Sequence, residues 1–138
     1  MRKLFLIALI IIIFLSSCKS ISDCDRDYSV QNLREICYID VAEAKKDLRV
    51  CNLINDPMTK DNCIAGVALA RKDLSICENI IDEDDKYRCY SLIALSKQNA
   101  NMCNNILKQS IKDGCFLGLS DCEQIIDQET KELCEKLE

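Results

Sequence analysis

Residues 47–77 read DLRVCNLINDPMTKDNCIAGVALARKDLSIC, and residues 73–103 read DLSICENIIDEDDKYRCYSLIALSKQNANMC. Each stretch runs from a helix-capping residue to a Cys, through a polar turn to a second Cys twelve residues on, and to a third Cys fourteen beyond that. The alternation makes a period of 26 residues, which recurs in Cys37, Cys63, Cys89 and Cys115 and in Cys51, Cys77 and Cys103. A fixed period of this size marks stacked supersecondary units.

Other columns keep the same register. Four residues before the first Cys of a unit stand Asp47, Asp73 and Asn99, all good N-caps. Three residues after it come Ile54, Ile80, Ile106 and Ile125, and with Leu48, Leu74 and Ala100 these place apolar groups at i, i+3 and i+6 of a short helix. The second Cys is preceded by the basic residues Arg34, Lys60, Lys86, Lys112 and Lys131, and followed at plus five by Ala42, Ala68 and Ala94, small enough for close stacking. Asn55-Asp56-Pro57, Asp82 to Asp85 and Lys108-Gln109-Ser110 are turn signals. Each unit therefore predicts a helical hairpin of about ten plus twelve residues. The fold class is all-α: a short α-solenoid-like array of five disulfide-stapled helical hairpins, with no strand pattern.

Residues equidistant from a turn face each other in a hairpin, so the centred pairs are Cys24/Cys37, Cys51/Cys63, Cys77/Cys89, Cys103/Cys115 and Cys122/Cys134. The rival scheme joins each long helix to the next short one and leaves Cys115 with Cys122, about 10 Å apart along a continuous helix and too far to bridge. Spacing alone leaves both schemes open, and the first strands no cysteine. The interval from Cys115 to Cys122 is 7 instead of 14. This shortens the penultimate long helix near Gly118 and makes Ser120 and Glu123 a prospective capping box. Beyond residue 17 the aromatic residues are only Tyr28, Tyr38, Tyr87, Tyr90 and Phe116. So small a core needs staples, and a disulfide closing a loop of about 13 residues contributes on the order of 3 kcal/mol in the chain-entropy model.

The 138 residues carry 18 Lys+Arg and 23 Asp+Glu, a formal net charge of -5, with no His and no Trp. Without imidazole there is no Ser-His-Asp or Cys-His set and no His-ligated metal. An acidic chain does not attract phosphates, which excludes nucleic acid as a partner. The cysteines lack the tight Cys-x(2-4)-Cys turn of zinc, iron-sulfur and thioredoxin-like sites, so no cofactor is expected. Read as an EF-hand loop, Asp82 to Asp85 puts Tyr87 where Gly is needed and Ile93 where the bidentate Glu belongs, so it is a solvated turn. The basic column is explained locally by the i, i+4 pairs Asp56/Lys60, Asp82/Lys86 and Asp127/Lys131. Tyr38, Tyr90 and Phe116 follow the second Cys, and recurrence at one repeat position indicates core over an exposed binding stripe.

Met1, Arg2 and Lys3 precede the apolar run Leu4 to Leu15, and Ser16, Ser17 and Cys18 follow it. Twelve helical residues rise about 18 Å, short of the roughly 30 Å hydrocarbon core. The segment Leu15-Ser16-Ser17-Cys18 resembles the lipobox of prokaryotic lipoprotein signals. That resemblance covers residues 1 to 18 and implies a cleaved signal peptide (1–17), lipidation of Cys18 with attachment to a membrane, a short tether (18–23), and an oxidising cell-envelope location for the cysteine-rich domain (24–138). Loss of Arg2 and Lys3 leaves the remainder more acidic, so the lipid and not charge does the anchoring. The function expected is a non-catalytic binding or scaffold protein with a protein partner. The alternatives are a carboxylate-based envelope hydrolase and a thiol-redox or metal-binding lipoprotein.

Overall fold

The computed structural model describes residues 20–137; the expected signal peptide and the expected lipidation site Cys18 lie outside the described residues. Among the described residues the chain is helical throughout, with no strand. Six α-helices, α1 (Ile21–Asp27), α2 (Gln31–Lys45), α3 (Pro57–Arg71), α4 (Glu83–Lys97), α5 (Gln109–Gly118) and α6 (Gln128–Leu137), are interleaved with four 3-10 helices, η1 (Leu48–Leu53), η2 (Leu74–Asn79), η3 (Ala100–Asn105) and η4 (Cys122–Gln124). They pair as five hairpins, α1/α2, η1/α3, η2/α4, η3/α5 and η4/α6, and the inter-element contacts join consecutive elements and next neighbours along the chain. The architecture is the expected all-α array, built in series.

The hairpins are more unequal than ten plus twelve. In the second and third, a 3-10 helix of 6 residues faces an α-helix of 15. The 3-10 form lets the i, i+3, i+6 residues face the long helix together: with three residues per turn, Leu48, Cys51 and Ile54 stack on one side, whereas an α-helix would fan them by about 120° over the same span. Asp47, Asp73 and Asn99 cap η1, η2 and η3, accepting from the amides of Arg49, Ser75 and Asn101. Asp56 and Asp82 cap α3 and α4 through the amides of Thr59 and Asp85. Ser20 does the same for α1, so residues 20–23 of the expected tether form that helix's cap and first turn.

Each long helix buries a stripe at i, i+1, i+4 and i+5: Cys37, Tyr38, Val41 and Ala42 in α2, Cys63, Ile64, Val67 and Ala68 in α3, and Cys89, Tyr90, Ile93 and Ala94 in α4. Tyr38, Tyr90 and Phe116 are thus core residues and form no exposed aromatic row. The three alanines are fully buried at the helix ends, where their carbonyls accept from the amides of Asp47, Asp73 and Asn99 five residues on. Those six-to-one bonds close Schellman motifs around Lys46, Lys72 and Gln98, which adopt left-handed backbone at φ 53, 54 and 51. Two glycines leave room for a side chain of the neighbouring long helix: a Cβ on Gly66 would collide with the Glu43 carboxylate of α2, and one on Gly118 would lie 2.8 Å from a methyl of Leu95.

The short last junction is resolved differently from a capping box. Ser120 has φ 55 and takes the left-handed position of Lys72, while Asp121 follows it as Asp73 follows Lys72 and donates its amide to Phe116. Relative to hairpin 2, four residues are missing between Cys115 and the left-handed residue, and three between that residue and Cys122. The deletion of seven is one α-turn from α5 plus one 3-10 turn from η4, so both cysteines keep their facing direction.

Candidate functional site

All ten described cysteines are bonded, as Cys24–Cys37, Cys51–Cys63, Cys77–Cys89, Cys103–Cys115 and Cys122–Cys134, with Cα atoms 5.6 to 5.9 Å apart. Every bond lies within one hairpin. No cluster of His, Cys, Asp or Glu among the described residues has the arrangement of a metal site, and none of their helices is long and apolar enough to cross a membrane.

A second column is chemical in character and was not singled out above. Two residues before the second Cys stand Glu35, Asp61 and Asp113, carboxylates only 3, 3 and 1% exposed. Each reaches from its long helix into the turn of the next hairpin. Glu35 accepts from the Asn55 amide at 3.1 Å, Asp61 from those of Ile81 and Asp82 at 3.1 and 3.0 Å, and Asp113 from those of Ile126 and Asp127 at 3.2 and 3.1 Å. Gln31 and Gln109 donate from one turn earlier to Glu35 and Asp113. These are staples between hairpins, complementing the disulfides within them. At the third junction the column holds Tyr87, whose hydroxyl donates to Glu83 at 3.0 Å. The same register that revealed the cysteines carries this signal; it is obscured because Glu, Asp and Tyr share no conspicuous property.

A third column alternates. The Tyr38 hydroxyl bonds Asp25 and that of Tyr90 bonds Glu78, the acid directly following the first Cys of the same hairpin. Hairpins 2 and 4 have the apolar Ile64 and Phe116 opposite Asn52 and Asn104. Burial and the Glu78 bond hold the Tyr90 phenol strongly in its neutral form, and the Asp25 bond does the same for Tyr38.

The i, i+4 pairs expected for the basic column are not made. Asp56, Asp82 and Asp127 are engaged as caps by the amides of Thr59, Asp85 and Thr130, and Lys86 lies instead 3.9 Å from Glu78 across its hairpin. A cap keeps its carboxylate at the helix start, turned from a side chain one turn along. Arg34 donates to the carbonyls of Tyr28 and Ser29, closing the first turn. Within the acid run, Asp84 pairs with Lys108 of the next hairpin, and Asp85 lies 3.8 Å from Arg88.

The exposed counterpart of these columns is the edge formed by the turns. Ile81, Leu107 and Ile126 occupy one register position, four residues after the first Cys, and are 77, 78 and 74% exposed. Turns favour polar residues for their local hydrogen bonds, so three bulky aliphatic groups at one repeat position form an ordered apolar row. Where the turns of hairpins 2 and 3 adjoin, Pro57, Met58 and Ile81 share a cleft of about 450 Å3 with Asp82, Glu83 and Asp85. Asp61 stands in its wall, already engaged by backbone amides. A cleft of this volume is at the small end of the ligand-binding range. The displaced carboxyl groups, at Asp23, Asp47, Asp56, Asp73 and Asp127, are all displaced downward by the hydrogen bonds they accept, which suits caps and is opposite to what a general acid requires. No family model, curated protein or solved structure matches the chain.

Proposed function

We propose that this chain is a lipid-anchored extracytoplasmic protein that works by presenting a binding surface to a protein partner. The observation that carries the reading is the turn edge, where Ile81, Leu107 and Ile126 repeat in register on hairpins each closed by a disulfide, with buried carboxylates holding the turns of Ile81 and Ile126. A rigid surface loses little conformational entropy on binding, and arrays of repeats offer long faces of this kind. Five disulfides fit an oxidising compartment outside the cytoplasm. The lipobox-like Leu15 to Cys18 supplies the anchor, and tethering raises local concentration at a membrane.

The test has two arms. In a bacterial host the full chain should incorporate radiolabelled palmitate, and Cys18→Ser should not; equal labelling of both rejects the anchor. Purified protein should leave envelope glycans intact. Glycan hydrolysis that disappears with a single change such as Glu83→Gln or Glu129→Gln would replace the binding reading with the hydrolase.

A further inference from the structure

We propose that the cleft between the turns of hairpins 2 and 3 is the docking site for a cationic, amphipathic peptide segment of the partner protein, an inference that rests on the binding-module reading above. Pro57, Met58 and Ile81 form the apolar part of the lining, and Met58 and Ile81 are 68 and 77% exposed. Burying them under a partner's aliphatic groups is favourable in proportion to the area removed from water. The rim decides the sign of the partner. Asp82, Glu83 and Asp85 line the cleft. Within the run Asp84 pairs with Lys108 and Asp85 lies 3.8 Å from Arg88, whereas Asp82 and Glu83 are met only by the Asp85 amide and the Tyr87 hydroxyl and keep their charge without a cation among the described residues. A segment carrying Lys or Arg beside apolar residues satisfies both halves: aliphatic stems lie against Met58 and Ile81 and cationic heads meet Asp82 and Glu83.

The row beyond the cleft sets a spacing. Packed helices are separated by roughly 8–10 Å, so Ile81 and Leu107 on adjacent hairpins recur at about that interval along the edge. A peptide in the polyproline II conformation rises about 3.1 Å per residue with three residues per turn, which keeps every third side chain on one face and in step with the row. The occupant is therefore a segment in the polyproline II conformation with an apolar residue at every third position and cations between. A second copy of this chain is disfavoured because it would set acidic rim against acidic rim. An anionic bilayer is disfavoured for the same reason.

The probe is a nine-residue peptide of three Lys-Leu-Lys units carrying a fluorophore, titrated by anisotropy with the full chain in neutral detergent micelles. It should bind and weaken with added salt, while the Glu-Leu-Glu peptide should not bind. Met58→Ser with Ile81→Ser should weaken the Lys-Leu-Lys peptide about tenfold or more, and Glu83→Gln with Asp85→Asn about fivefold. Leu92→Ser, two turns further along α4 and outside the cleft, should change nothing, and unaltered circular dichroism certifies the folds. Equal binding of both peptides, or affinities within about twofold of the parent in both cleft variants, overturns the proposal. So does adsorption to phosphatidylglycerol vesicles that is lost with Met58→Ser and Ile81→Ser while peptide binding persists, which assigns the edge to a bilayer. Dimerisation abolished by the same pair, seen in sedimentation, assigns it to a second copy and also overturns it. Failure at the cleft with a partner still crosslinked in the envelope leaves the binding-module reading standing, whereas turnover by the purified chain removes both.

Discussion

Asp61 illustrates how a single side chain fixes the relation of two hairpins. Its carboxylate accepts from the amides of Ile81 and Asp82 across about 20 residues of chain, and both oxygens take part. Hydrogen bonds to a charged acceptor are worth roughly 1.5–3 kcal/mol, so Asp61→Ala should destabilise by about 2–3 kcal/mol in urea denaturation. Tyr87→Phe, which deletes only a bond to an exposed Glu83, should cost well under that; equal losses would deny the carboxylates their stapling role. The exposed caps respond to pH instead. The hydroxyl and amide of Thr59, Ser75 and Thr130 hold Asp56, Asp73 and Asp127 below the usual carboxylate range, and the Arg49 side chain and amide bring Asp47 to about 2. Because the folded values are depressed, their contribution is complete above about pH 4 and disappears as pH falls toward 2. Urea midpoints should drop across that window, and less so in a variant with Asp47, Asp56, Asp73 and Asp127 all changed to Asn, a cap that Asn99 already provides without titrating.

At the scale of elements, the six-residue 3-10 helices are the unusual feature, since runs beyond three or four residues are uncommon. Three conditions sustain them: an Asx cap at the start, a stacked apolar stripe, and a Cys of that stripe tied to the long helix. Removing one tie should be felt at the element it closes. Cys77→Ala with Cys89→Ala should lower stability by roughly 2–5 kcal/mol, and amide exchange should speed most in Leu74–Asn79. A uniform loss over all hairpins would instead mean that the disulfide acts only through the global unfolded state.

The whole molecule is a chain of junctions, and they are not equal. A carboxylate crosses the first, second and fourth, but at the third Tyr87 turns to Glu83 of its own helix. No such acceptor serves the Leu107 and Lys108 turn. Those two amides should therefore exchange faster than the amides of Ile81, Asp82, Ile126 and Asp127, and under mild denaturant hairpins 3 and 4 should part first. Equal protection at the three turns would refute the ranking. Compensation at this junction comes from the Lys108 to Asp84 ion pair, which is exposed and weak.

The sequence by itself determined the repeat, the hairpin count, the all-helical class and the facing of cysteines about each turn, because these depend on spacing along one chain and on side-chain types at fixed intervals. Asp47, Asp73 and Asn99 were legible as caps for the same reason: a cap acts within three residues of itself. Tertiary structure alone decided that the short arms are 3-10 helices, since the same i, i+3, i+6 residues suit either helix until the facing element demands that they stack. It also decided that Asp56 and Asp82 cap helices in preference to pairing with Lys60 and Lys86, a competition settled by which donors lie within reach. The exposed turn edge belongs to this second kind. The column that holds Ile54 was legible as an apolar stripe, and that residue is buried; that the aliphatic Ile81, one register position later in its own hairpin, stands 77% exposed was settled by the packing of one hairpin on the next.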